Sequence, residues 1–178
     1  MHTAAVFIKA IGAICVISGC AGTGLSVSRS YIRRYRQLGV LRRMAVLLKG
    51  EIRYACSELP EAFEHAACRI EAPFRDFLMG LADDLRLMDG QPFDRLWRKH
   101  IESSLSGSCL TKEDKEALFR LGGQLGFLDR EMQLTAIDLY LDELDASMIS
   151  FGQTLPQKQK LSLSLGILSG LFLTALLI

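Results

Sequence analysis

The last eighteen residues limit most what this chain can become. From Leu161 to Ile178 they read LSLSLGILSGLFLTALLI, with no charge and no proline. A helix of that length rises roughly 27 Å, close to the hydrocarbon thickness of a bilayer. Ser162, Gly166, Gly170 and Thr174 recur every fourth residue and so share one face. Gly166 and Gly170 make a GxxxG, a spacing that lets two helix backbones approach closely in lipid. The run 161–178 reads as a C-terminal transmembrane helix with Gly166 and Gly170 on its membrane-packing face. Lys158 and Lys160 stand where headgroups would be.

A second apolar stretch opens the chain. After Lys9, residues 10–28 carry no charge, and an N-terminal transmembrane helix is expected over 4–27. Ile17-Ser18-Gly19-Cys20 also resembles a lipoprotein cleavage box, which would leave a lipidated Cys20 and make the protein a lipid-anchored adaptor or regulator. Seven basic residues, Arg29, Arg33, Arg34, Arg36, Arg42, Arg43 and Lys49, follow before the first acid. All 20 acidic residues lie within 51–145, alongside eleven basic ones, so that interval carries a net charge of −9 between two purely basic flanks. Basic residues beside a span stay on the cytoplasmic side. Both flanks then place the body 28–157 in the cytoplasm, with membrane lipids as contacts of the basic ends. Headgroup contact accounts for the arginines, so no nucleic-acid partner is expected.

Between the spans the pattern is helical throughout, with no sustained two-residue alternation. Tyr31, Tyr35, Leu38, Leu41, Ala45, Leu48, Ile52 and Ala55 recur at steps of three and four, giving a long helix that ends near Ser57. Pro60, Pro73 and Pro92 each suit a helix start, and Thr111 with Asp114 suits a capping box. Gly122, Gly123 and Gly126 weaken the end of the helix that follows. Leu134, Ile137, Leu141, Leu144, Met148, Phe151 and Leu155 form a narrow seam of coiled-coil type on a long return helix. Pro156 is expected to interrupt that helix with a kink or hinge. The fold class expected is all-α, an antiparallel six-helix bundle flanked by N- and C-terminal transmembrane helices.

No phosphate loop, nucleophile elbow, zinc motif or dinucleotide fingerprint is present. His65 and Cys68 could meet on one helix face, but no second ligand pair accompanies them; they read as a partly buried histidine beside a core cysteine. Asp83-Asp84 and Glu113-Asp114 read as solvated faces, since adjacent residues diverge on a helix. The five cysteines are odd in number and form no CxxC. No enzyme, metal or cofactor is expected.

Several short motifs carry a family resemblance: Arg36 with Leu38, Glu51-Ile52-x-Tyr54, Leu59-Pro60-Glu61-Ala62-Phe63, Trp97, Leu125-Gly126-x-x-Asp129-x-x-x-Gln133, and the Leu-Gly-x-Leu-x-Gly-Leu of 165–171. In this order they resemble the stage III sporulation protein AB family of endospore-forming bacteria. The soluble part of that family is similar to the helical domains of protein F, from the type II secretion inner-membrane platform. The resemblance implies a non-catalytic membrane platform component of the channel complex between mother cell and forespore. Its partners would be the secretion-type ATPase of the same operon and the other membrane proteins of that apparatus, and its place the mother-cell membrane. The departures from the family pattern are Cys20 and Pro156. Pro60 and Glu61 fit a helix start, Gly126 a helix end, Asp129 an N-cap, and Tyr54, Phe63 and Trp97 the core. Glu51 and Gln133 are polar beside an apolar seam, which makes them the candidate partner contacts.

Overall fold

The computed structural model describes residues 26, 29–55, 57–87, 90–126 and 129–177; over 155–160 and most of 162–177 it describes the backbone alone. The expected N-terminal span 4–27, the lipid box at Cys20, and the side-chain face of Gly166 and Gly170 lie outside what is described. Among the described residues no helix is long and apolar enough to cross a membrane.

Six helices and no strand appear among the described residues. Helix α1 covers 29–50 and widens into a π turn, Glu51–Ala55. Then come α2 (Leu59–Ala67), α3 (Phe74–Arg86), α4 (Phe93–Ser104), α5 (Lys112–Leu125) and α6 (Arg130–Leu177). The chain divides into two units. One is 34–150; the other joins 1–33 to 151–178, and in it the Tyr31 and Phe151 rings meet edge-on at 6.2 Å.

The helix starts follow local chemistry. Pro60 lies in the first turn of α2, and Pro73 and Pro92 stand just before α3 and α4. Thr111 caps α5: its hydroxyl accepts from the Asp114 N–H, and the Asp114 carboxylate accepts from the Thr111 N–H. Asp129 caps α6 by accepting the Met132 N–H at 2.9 Å. Gly90 takes a left-handed conformation, φ 67°, in the α3–α4 connection, where a residue without Cβ is favoured.

Within 34–150, α2 packs on α3, α3 on α4, and α4 on α5. Helices α1 and α6 run antiparallel, joined by Arg42–Asp145 and Lys49–Asp138: seven residues up α1 are seven down α6. The buried face of α1 is Leu38, Leu41, Met44, Ala45, Leu48 and Ile52. Two expected members depart from it, for Tyr35 and Ala55 are exposed. For Ala55 the cause is the π turn, whose extra residue per turn slips the 3.6-residue wheel.

The buried face of α6 is Leu134, Ala136, Ile137, Tyr140 and Leu144, with Leu141 and Met148 only partly buried. The expected narrow seam is thus a broader stripe, because α6 covers a whole core and not one partner helix. Pro156 does not interrupt α6, which continues to Leu177. Proline removes one backbone hydrogen bond at about 3 kcal/mol, which the many other bonds of a long helix offset.

The three glycines with least room all face α4. A Cβ on Gly80 would stand 2.8 Å from the His100 ring, and one on Gly126 2.8 Å from Phe93 Cβ; one on Gly122 would fall within the Trp97 indole. Gly122 and Gly126 are therefore not weak points but notches that admit α4. Trp97 is 1% exposed and donates its indole N–H to the Leu118 carbonyl at 2.8 Å. Phe77, Phe93 and Phe63 surround it at centroid distances of 5.0, 5.7 and 5.8 Å. Edge-on and tilted packing of this kind adds about 0.5–1.5 kcal/mol per pair beyond area burial.

Two glycines one residue apart should therefore behave in opposite ways. Gly122→Ala should destabilise by about 1–3 kcal/mol through overpacking. Gly123→Ala, where a Cβ meets nothing within 4 Å, should be neutral or stabilising by up to about 1 kcal/mol. Urea unfolding of the two variants of the full chain in mild detergent, followed by circular dichroism, checks both.

Candidate functional site

Most of the motif residues gather at one end of the 34–150 unit. The π turn there packs against α2. Glu51 opens the turn, and its carboxylate meets His65 Nδ1 of α2 at 2.9 Å. Arg130, the first residue of α6, donates from Nε to the Ile52 carbonyl at 2.8 Å and from Nη2 to the Arg53 carbonyl. Gln133 donates from its side-chain amide to the Leu125 carbonyl at 2.8 Å, satisfying an acceptor left open where α5 ends. Gly126 ends α5 against Phe93, and Asp129 caps α6. Charged donors on two backbone carbonyls are among the stronger hydrogen bonds, so the turn is held from α6. Glu51 and Gln133, expected to contact a partner, each have a partner within the chain.

Tyr54 was expected in the core and is 81% exposed. It lies off the Leu41–Ala45–Leu48–Ile52 stripe, so the helix wheel itself turns it outward. Phe63 and Trp97 are buried as expected. Pro60 and Glu61 lie in the first turn of α2, and Glu61 is exposed. The end thus presents an exposed tyrosine on a clamped turn, with Met132, 52% exposed, two residues after the clamping arginine. Such a surface can bind; it places no nucleophile beside a base. Among the described residues no three His, Cys, Asp or Glu side chains could hold a metal ion. His65 and Cys68 are both exposed, contrary to the expected buried pairing.

A second polar centre lies elsewhere in the unit. The Arg34 guanidinium grips Asp114 through two hydrogen bonds of 2.8 and 2.9 Å, and Asp114 is only 7% exposed. Burial works against ionising this carboxyl. The Arg34 hydrogen bonds, the Thr111 N–H and the guanidinium charge outweigh it and hold the pKa below the usual 3.8. The pair raises the Arg34 pKa in turn. A cleft of about 190 Å³ beside it is lined by Glu113, Ala117, Glu143 and Ser147 as well. The Tyr140 hydroxyl is buried without a hydrogen-bond partner among the described residues, and burial pushes its pKa up.

Reading Arg34 as a headgroup contact and Asp114 as part of a solvated face missed this pair. The signal was present: Arg34 stands four before Leu38 and Asp114 four before Leu118, each on an apolar stripe. A charge on a buried face requires a counter-charge. Asp84, also read as solvated, is partly buried and takes Lys99 and His100, both at 2.9 Å.

A unit that is all-helical among the described residues and carries these motifs in this order defines a class of helical proteins. Residues 9–178 match the stage III sporulation protein AB family, and the chain belongs to that family. It is similar to stage III sporulation protein AB of Bacillus subtilis strain 168, at 29% identity over 170 residues, covering 96% of this chain and 99% of the relative. It is also similar to a solved structure of a stage III sporulation protein AB: TM-score 0.63 and 27% identity, over 70% of this chain and 97% of that one.

Asp114→Asn should destabilise by roughly 1.5–3 kcal/mol at neutral pH. The folded pKa is depressed, so the stabilisation is complete above the unfolded value and is lost as pH falls through the folded one. The gap between wild type and variant should be constant from about pH 5 to 7 and close below about pH 4. Urea midpoints across that range test it; a gap that persists at the acid end would place the effect outside this ion pair.

Proposed function

We propose that this protein is a non-catalytic platform component of the sporulation channel complex between mother cell and forespore. In this reading it is anchored by 4–27 and 161–178, and its helical unit docks the secretion-type ATPase of the same operon. Family membership supports the sporulation role, and the charge-free run 161–178, helical in backbone to Leu177, supports the anchoring. The observation that carries the docking is Tyr54. A large, amphipathic ring stands 81% exposed on a turn that Arg130 clamps through two carbonyls. A tyrosine has few rotatable bonds, and on a backbone held in place it loses less entropy on binding than on a free loop, which suits it to a binding hot spot.

Tyr54→Ala should weaken co-purification of the ATPase with the full chain by at least about tenfold while helical content stays unchanged. Retention of the ATPase by this variant would move the docking surface elsewhere.

The proposed topology has its own test. Cys68 is a free, exposed thiol of the helical unit. In sealed sporulating cells a membrane-impermeant maleimide should leave it unmodified until lysis. Modification in intact cells would reverse the orientation.

A further inference from the structure

The two long helices carry opposite charge. Over 34–50, α1 has five basic residues and no acid; over 131–150, α6 has five acids and no base. Much of this is used inside the unit: Arg34 holds Asp114, Arg42 and Lys49 hold Asp145 and Asp138, and Arg120 of α5 holds Glu143. Arg36 and Arg43 on α1, and Glu131 and Asp142 on α6, form no ion pair among the described residues.

Three of these unused charges, Arg36, Arg43 and Asp142, lie on two stripes of three- and four-residue steps. On α1 the stripe is Arg36, Gly39, Arg43, Val46 and Gly50; on α6 it is Thr135, Leu139, Asp142, Ala146 and Ile149. Val46, Leu139 and Ile149 are 45%, 64% and 63% exposed, and a Cβ on Gly39 or Gly50 would meet nothing within 4 Å. On each helix the core residues fall to one side of the α1–α6 ion pairs, and the stripe to the other. The antiparallel arrangement then brings both stripes onto the same outward face. Neither stripe is covered by the unit itself.

We propose that this face is a self-association surface, and that its occupant is a second copy of the same chain. Charge selects the symmetry. A two-fold axis crossing the helices would lay α1 on α1, arginine on arginine. A two-fold axis along the helices lays α1 of each copy on α6 of the other, basic on acidic, and makes the contact twice. Such an axis keeps every residue at its own height, so the register is already fixed by Arg42–Asp145 and Lys49–Asp138. Within about 3 Å of level, it sets Arg43 against Asp142 of the second copy, Val46 against Leu139, Gly39 against Ala146 and Gly50 against Thr135. Charge meets opposite charge, apolar meets apolar, and small meets small, so the helices can approach closely. The same register sets Arg36 against Ile149, so four of the five stripe positions are complementary, and that match is the argument for a second copy over an unrelated partner. This surface is independent of the Tyr54 end and of the ATPase reading.

The test uses the full chain in mild detergent. Light scattering should give a dimer. Arg43→Asp or Asp142→Arg alone should weaken it about tenfold, because each reversal sets like charges together at both contacts, and the double reversal should restore it. Separately, a chain with Val46→Cys co-expressed with a differently tagged chain carrying Leu139→Cys should yield a disulfide-linked heterodimer under mild oxidation. Val46→Cys alone should yield no cross-link beyond that of wild type. A monomer at all concentrations, a dimer indifferent to charge reversal, or a Val46→Cys homodimer would each overturn the proposal. The cross-linking reads out position directly, so it holds even where a charge reversal disturbs folding.

Discussion

The Trp97 indole fills the space that a side chain at position 122 would occupy. Its N–H must find an acceptor once buried, and the Leu118 carbonyl supplies one from within α5. That carbonyl lies one turn before Gly122, and the missing side chain leaves it uncovered. The separation of α4 from α5 is set by this one contact, and Gly126 against Phe93 repeats it near the end of α5. With the α4–α5 distance fixed, Phe63 and Phe77 fill the rest of the space around the ring, which ties α2 and α3 to the same point. Four helices therefore take their spacing from one side chain. Close packing makes such an arrangement intolerant of added volume and tolerant of little else.

Polar contacts act at a different level. Arg34–Asp114 joins α1 to α5, and the more exposed pairs join α1 to α6. Exposed pairs contribute little to stability. They do fix register, since a slip of either helix by one turn would separate both α1–α6 pairs together. Apolar surface holds α1 and α6 to the core, and charge determines where along the core they stop.

Much of this was legible from residue order. Helix starts at Pro60, Pro73, Pro92 and Thr111 were readable because capping chemistry is local. So was the buried stripe of α1 from Leu38 to Ile52, because a 3.6-residue period survives without tertiary information. What could not be read were the features that depend on a distant element. Gly122 looks like a weak helix former until Trp97 is beside it, 25 residues earlier in the chain. Gln133 looks unsatisfied until the α5 carbonyl at Leu125 is placed next to it. Tyr54 is a plainer case, for its position off the apolar stripe is visible in the spacing itself. Most of the family motifs gather at the end of the unit where the candidate site lies. They did not say which members are held by bonds within the unit, as Glu51 and Gln133 are, and which stand on its surface, as Tyr54 does.

The π turn at Glu51–Ala55 leaves a mark outside three dimensions. A turn closed five residues back holds one residue more than an α-helical turn, and the helix absorbs it without breaking. The inward positions before the turn and the outward positions after it therefore belong to two different phases of the same count. A relative whose α1 lacks the widened turn would align with this chain only through a single-residue gap between Glu51 and Ala55. A gap in the middle of a helix is usually taken for an alignment error; here it would be the footprint of the turn that swings Ala55 off the core face.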